Sequence, residues 1–524
     1  MSPKTGLTAR LVCLFLLVAL TLAACAPAAT PAPLEQPTVV TKAEEKPTDA
    51  PKVAAATATV APTMAPAVEI SYIYPNSIPK DKAAVEEAMN KILLEKANAT
   101  ISLTPVDWGA YTEKVNLMVS SGEACDLLFV APWLNPTYAQ LVSNGALAPL
   151  NDLLDANGAE LKASVPAMAW NATAIDGKIY GVPNQQIWVK PFGFNVRADL
   201  VEKYKFDATS VEKLEDLEPL LKAIKEGEED VSYPASGGAF VNEYFGWDPI
   251  VSQAAGAVVQ YDDASRKVFN AYDTPEFKAN VELMAKWYEA GYFPSEIVPG
   301  EEFNNVWKAG KFGLNLIEVI KPGGDLEFKN NRGYDVVGKN LSPIFMTTGS
   351  VTATMNSVCA SSKNQDTAVK VLNLLNTDPE LYNILAKGVE GKHWVWADQA
   401  NNIIGAGPEK DNYNPGSDWM FGNVFNAYYG DKAYADIMFN EATAKMNAES
   451  AASVALGFTF NPDPVKNELA QVSAVVKEFG EPLIFGMVDP AAAYPEFLQK
   501  LQEAGLDTII TEAQTQLDAW AESQ

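Results

Sequence analysis

The chain has 524 residues, with 39 Lys and Arg against 66 Asp and Glu and a single His, for a formal net charge of −27. So little positive charge argues against a nucleic-acid partner, and one His cannot supply a His-based triad or zinc site. A 48% apolar content over this length predicts two or more lobes with separate cores.

The first predicted element is an export signal over residues 1–24. Lys4 and Arg10 form its positive end, and Leu11 to Leu22 an apolar run too short to span a bilayer. It ends in Leu22-Ala23-Ala24-Cys25, which resembles the lipobox of bacterial lipoproteins and predicts lipidation at Cys25. An ordinary signal peptide with an incidental Cys is the alternative. Cleavage removes both basic residues and no acid, leaving a net charge of −29. The 42 residues from Ala26 to Ala67 include 13 Ala, 8 Pro and 7 Thr and no aromatic. They cannot bury enough apolar surface to offset ordering entropy. Residues 25–67 therefore read as a lipid-anchored extended tether, reaching at most roughly 130 Å at about 3.1 Å per residue.

Folding is predicted from Val68, where Val68 to Tyr74 alternates as a strand. Helix Asp81–Lys96, strand Ile101–Val106, helix Tyr111–Val119 and strand Leu127–Val130 follow. This β-α-β-α-β order implies a parallel, doubly wound sheet, whose ligands sit beyond the carboxyl ends of the strands. Trp108 and Trp133 lie just past two such ends. Further strands are expected over 192–196, 313–318 and 350–359, with helices over 198–204, 212–225, 276–289 and 367–376. Segments near 184–195 and 341–350 are candidate crossings between two α/β lobes. Two more helices are expected over 465–479 and 509–521, with loop signals at Gly480 and Asp489-Pro490 between them. Cys125 and Cys359 lie in apolar, strand-like surroundings and are expected as buried free thiols, a disulfide being the alternative.

No hydrolase elbow, zinc-protease, Walker or dinucleotide motif occurs. The oxygen-rich stretch Asp411–Asp418 has Tyr413 where an EF-hand loop needs Asp or Asn, so calcium is not favoured there and no cofactor is expected. What stands out is tryptophan beside amides and carboxylates. Trp247 sits in Tyr-Phe-Gly-Trp-Asp-Pro, Trp394 follows His393, and Trp419 lies in Ser-Asp-Trp-Met-Phe-Gly-Asn. A sugar offers a C–H face that a ring can cover and hydroxyls that carboxylates and amides can pair. Each of these tryptophans could equally be core. Trp287 and Trp520 are assigned to packing.

Several stretches together resemble the family 1 extracellular solute-binding lipoproteins of ABC importers. They are Asp107-Trp-Gly-Ala-Tyr111, Ala146-Leu-Ala-Pro-Leu-Asn-Asp152, Asp176-Gly-Lys-Ile-Tyr-Gly-Val-Pro183 and Asn195-Val-Arg-Ala-Asp-Leu200. The stretch from Leu456 through Ala504-Gly-Leu-Asp507 to Trp520 is similar to the C-terminal domain of unknown function of the LipO-type subgroup. The resemblance implies two hinged α/β lobes of the periplasmic-binding-protein type II kind. Residues 68–184 with about 345–390 would form the first lobe, 185–344 with about 391–455 the second, and 456–524 a helical C-terminal module. It further implies a non-enzymatic, monomeric receptor on the outer face of a membrane, handing a sugar (an oligosaccharide or uronate) to permease and ATPase subunits. The expected ligand-contacting residues are Trp108, Trp133, Asn184, Trp188, Trp247, Glu318, His393, Trp394 and Trp419. A surface glycoside hydrolase with paired carboxylates and a receptor presenting its solute to a sensor kinase are the alternative readings.

Overall fold

The computed structural model describes residues 66–252, 255–317 and 319–523; the export signal, Cys25, the tether up to residue 65 and Glu318 lie outside them. Strand Val68–Pro75 pairs in parallel with Ala99–Val106 on one side and Leu127–Val130 on the other. Helices Lys82–Ala97 and Trp108–Ser121 make the two crossovers. Val85, Met89 and Leu93 line the buried side of the first of them, at the i, i+4 spacing that puts residues on one helix face. Two strands, Met355–Val358 and then Val182–Pro183, extend this sheet antiparallel. The expected strand over 350–359 starts late. Thr347 and Ser350 form a reciprocal capping box that opens the short helix Thr348–Val351 instead.

The cysteines are not free thiols. Antiparallel pairing of Leu127 with Val358 brings Cys125 and Cys359 to a Cα separation of 5.7 Å, and they are bonded. The disulfide ties neighbouring strands 234 residues apart in sequence, a constraint that periodicity cannot show.

The second lobe has its own core, built on Phe194, Val196, Leu221, Ile224, Trp287 and Leu314. Its four-stranded mixed sheet runs Val336–Asn340, Gly193–Arg197, Phe312–Ile317, Tyr233–Ala235. Gly193 faces Lys339 so closely that a Cβ would lie 1.9 Å from its carbonyl oxygen, which only glycine permits. Most of the chain over 391–446 does not join this lobe's core, contrary to expectation. Tyr413, Met420 and Phe421 belong to the first-lobe core, with Trp419, Ala427 and Met446 packed against it. Tyr434, Ile437 and Phe439 reach across to Asn330, Gly323 and Lys321 of the second lobe, and the chain itself crosses back after Met446.

Three segments cross between the lobes, one more than the sequence suggested. Phe345–Met346 pairs in parallel with Ala451–Ala452, and Val189 bridges to Met346. Asn447 locks the third segment to the first: its Oδ1 accepts from the Trp188 N–H at 2.8 Å and its Nδ2 donates to the Gln186 carbonyl at 2.6 Å. Beyond the crossing, the C-terminal module shares one core with residues 257–281 of the second lobe, where Val259, Phe277 and Val281 meet Val472, Phe497, Ile509 and Leu517. The module contains a helix that the sequence reading missed, Pro490–Glu503. Asp489 caps it, Pro490 sits in its first turn where no amide bond is lost, and Pro495 interrupts the pattern inside it. The expected helix over 465–479 instead runs as Lys466–Val475 and continues as a π turn, Val476–Gly480. Among the described residues no helix is long and apolar enough to cross a membrane.

Candidate functional site

Trp108 is the first residue of its helix, not a loop residue. The Asp107 carboxylate accepts the Gly109 N–H at 2.9 Å and caps the helix, which fixes the indole at the strand end. Trp133 projects from the loop after Leu127–Val130, its indole N–H donated to the Ala353 carbonyl. Trp419 sits in the single turn Asp418–Met420, held by Lys387 Nζ on the Asp418 carboxylate at 2.6 Å and by the Tyr382 hydroxyl on the Asp418 carbonyl at 3.1 Å. The fold brings these three tryptophans together from positions 108, 133 and 419. The Trp108 ring centroid lies 6.2 Å from each of the other two, at interplanar angles of 25° and 33°. Phe129 closes the group from below at 6.2 and 6.1 Å.

Trp108 and Trp133 are 41% and 53% exposed. Large rings so open, gathered at the carboxyl ends of a parallel sheet, form an apolar patch of the kind that marks a ligand surface. The indole N–H groups of Trp108 and Trp419 make no hydrogen bond to the described part of the protein, leaving donors for a bound molecule.

Asn184 lies behind this wall, fully buried. Its Oδ1 accepts from Asn356 Nδ2 at 2.8 Å, while Asn356 Oδ1 accepts from the Tyr72 hydroxyl at 2.7 Å. Asn356 Nδ2 and the Tyr72 hydroxyl both also donate to the Met420 carbonyl, next to Trp419. Burial pushes the Tyr72 hydroxyl up, so it stays a donor. The neighbouring Gln185 exchanges backbone hydrogen bonds with Gly422 and Val424. The loop that carries Trp419 is thus bonded to the start of the first crossing segment. Tyr72, Asn356 and Gln185 are positioning residues that no sequence motif marked.

The other candidates are placed differently. Trp188 is 3% exposed, with its indole N–H on the Asn184 carbonyl. Trp247 is 4% exposed, packed between Phe245 at 4.8 Å and Phe269 at 5.5 Å. Trp394 is 6% exposed and donates to the Gly388 carbonyl. None of these three offers a face to the wall. His393 is buried too. Its Nδ1 accepts from the Val389 N–H, which leaves the Nε2 proton for Asp81 at 3.1 Å. That bond, with a second from Lys392, holds the Asp81 carboxyl down to about 2. Among the described residues no group of three His, Cys, Asp or Glu side chains is disposed to hold a metal ion, and Asp418 is engaged by Lys387.

A cavity of about 1,230 Å³ lies elsewhere, between the first lobe and the C-terminal module, with Trp170, Asn171, Asp176, Gln516 and Trp520 on its walls. The Asp-Gly-Lys-Ile-Tyr motif forms one side of it. Asp176 and Gly177 take φ values of 51° and 71°, as the two central residues of a tight turn between strands Ala174–Ile175 and Lys178–Ile179 must.

Comparison with known proteins fits this architecture. Residues 87–313 match the family described as bacterial extracellular solute-binding protein, and residues 454–522 match a domain of unknown function, DUF3502. A carbohydrate ABC transporter substrate-binding protein of Streptococcus pneumoniae serotype 4 is 31% identical over 442 residues, covering 83% of this chain and 87% of the relative. The crystal structure of the N-glycan transport solute binding protein NgtS from Streptococcus pneumoniae is 28% identical, with a TM-score of 0.77, covering 87% of this chain and 99% of that one. The same protein in complex with Man1GlcNAc is 27% identical at the same coverage, with a TM-score of 0.68. The chain therefore belongs to the bacterial extracellular solute-binding proteins, the substrate-binding proteins of ABC transporters, and carries a DUF3502 domain at its C-terminal end.

Proposed function

We propose that this protein is the receptor of an ABC importer for an oligosaccharide, bound between its two lobes with Trp108, Trp133 and Trp419 as the first-lobe wall. The observation that carries this reading is the exposed three-ring platform at the strand ends. Stacked sugar C–H faces would cover those rings, and the free indole N–H groups would meet hydroxyls. Glu318, next after strand Phe312–Ile317, remains the proposed contact from the second lobe. Two relatives support a carbohydrate as the solute: the one described as a carbohydrate ABC transporter substrate-binding protein and NgtS in complex with Man1GlcNAc.

Closure is the proposed mechanism. A glycan that bridges the lobes gains contacts in the closed state that the open state lacks, so it shifts the population toward closure. This structure matches one NgtS structure at a TM-score of 0.77 and NgtS in complex with Man1GlcNAc at 0.68. The bonds of Gln185 to Gly422 and Val424, and of Asn184 through Asn356 to the Met420 carbonyl, connect the platform to the crossing segment, so the wall and the hinge would move as one piece. Cys25 is the proposed lipid anchor, residues 26–67 the tether, and the permease and ATPase subunits the partners. The protein acts as a monomer and makes no covalent change in its solute.

A chain starting at Val68 tests this against a panel of neutral oligosaccharides and uronates, followed by melting temperature and tryptophan fluorescence with chromatography of the ligand afterwards. A raised melting temperature with intact ligand is expected. Cleaved ligand, or no shift with any carbohydrate, overturns the reading.

A further inference from the structure

Trp394 and Trp396 do not join the platform; they build an aromatic cluster of their own. A groove of about 400 Å³, within the range of small-molecule sites, opens between helix Lys82–Ala97, helix Pro379–Lys387 and the hairpin of strands Trp394–Asp398 and Ile403–Ala406. The half-buried rings of Trp396 and Tyr428 lie 4.7 Å apart at 53° on its floor. Trp394 backs them edge-on, 4.9 Å from Trp396, with its own N–H already used on Gly388.

Polar groups rim this floor. Glu380 and Glu390 supply carboxylates, Gln399 an amide and Lys91 an ammonium. The Trp396 indole N–H, the Tyr428 hydroxyl and the Gln399 side chain make no hydrogen bond to the described part of the protein. Burial, then the carboxylates around it, push the Tyr428 hydroxyl up, so it remains a donor. Rings with an open face, beside unused donors and acceptors at several angles, match a sugar's apolar face and its hydroxyls better than they match an apolar ligand.

We propose that this groove is a second saccharide-binding site, separate from the wall between the lobes. Its residues come from helices packed on the first-lobe core and from the hairpin beside them, with none from the second-lobe core, so occupancy needs no closure. Glu380 and Ile384 turn one side of helix Pro379–Lys387 to the groove, while Tyr382 on the opposite side holds the Trp419 turn. A single helix, about 10 Å across, therefore stands between the two aromatic sites. A glycan held in the groove would be kept beside the closing cleft.

The test uses the intact chain and its Trp108→Ala/Trp133→Ala variant. Each is titrated with tetra- to hexasaccharides of glucose, mannose, galactose and N-acetylglucosamine, read by saturation-transfer NMR on the ligand. At least one glycan should bind the double variant with a Kd of about 1 mM. Adding Trp396→Ala should weaken that binding about tenfold. Adding Gln399→Ala, a change at an exposed side chain that leaves folding intact, should weaken it about threefold. No saturable binding to the double variant by any glycan, or binding that neither added change reduces, overturns the proposal. Failure of the interlobe reading is seen separately, as an affinity of the intact chain that Trp108→Ala/Trp133→Ala leaves unchanged.

Discussion

Trp108 and Trp133 stand 41% and 53% exposed at the strand ends of the first lobe, whereas Trp188, Trp247 and Trp394 are between 3% and 6% exposed. The local sequences do not separate the two sets, since each tryptophan has amides, carboxylates or aromatics nearby. What separates them is where the chain goes next. Trp247 opens a short strand whose face is closed by Phe240, Phe245 and Phe269. Trp108 opens a helix at the edge of a cleft, where no segment covers it. An exposed ring leaves binding energy unused, and a buried one spends its area on folding. The two sets should therefore respond oppositely to truncation.

The largest effect is expected at the buried set. Trp247→Ala should destabilise the fold by about 3–5 kcal/mol through the cavity it leaves, with glycan affinity of the folded fraction unchanged; denaturant titration with parallel binding measures both. An affinity loss larger than the stability loss would move Trp247 to the binding set. Its neighbour Asp248 offers a pH readout from the same buried strand. Burial raises its carboxyl to about 7, the Ser453 hydroxyl opposing and Glu243 adding to the shift. Because the folded value lies above the unfolded one, this contribution to stability is full below about pH 4 and is lost as pH rises through about 7. Asp248→Asn should thus gain on the order of 4 kcal/mol relative to the parent at pH 8 and nothing at pH 4, in melts across that range.

Asn184 sharpens the boundary between the sets, because it is buried yet bonded through Asn356 to the Trp419 loop. Asn184→Ala removes one of the two acceptors of the Asn356 amide and should cost about 1 kcal/mol of stability. Affinity should fall as well, since Asn356, which holds the Met420 carbonyl beside Trp419, loses one of its anchors; stability loss alone would confine Asn184 to packing. The smallest change in folding is expected at the exposed set. Trp133→Ala should weaken glycan binding about tenfold, roughly 1.4 kcal/mol, and alter unfolding by no more than about 0.5 kcal/mol. Isothermal titration and a melt on one preparation decide it.

Much of the first lobe was legible because its information is local. The strand at Val68, the crossover helices and the parallel order follow from residue spacing along the chain. Asp107 could be read beside Trp108, although its role as a helix cap, which turns Trp108 from a loop residue into the first of a helix, needed the backbone. Within the site, Trp108, Trp133 and Trp419 were named from the sequence, but so were Trp188, Trp247 and Trp394, and no local pattern ranks one set above the other. Asn356 and Tyr72 sat inside predicted strands and gave no signal of the network that supports Trp419.

The sequence by itself determined the elements of the first lobe, the acidic surface, the family to which the chain belongs and the C-terminal module, because these depend on short spacings and composition. The tertiary structure alone decided four things: the Cys125–Cys359 bond across 234 residues, the third crossing at 447–454, the return of residues 391–446 to the first lobe, and which tryptophans face solvent. Each of these depends on segments hundreds of residues apart packing against one another. Which rings that packing covers is a property of the assembled core and is not encoded in the neighbours of any one residue.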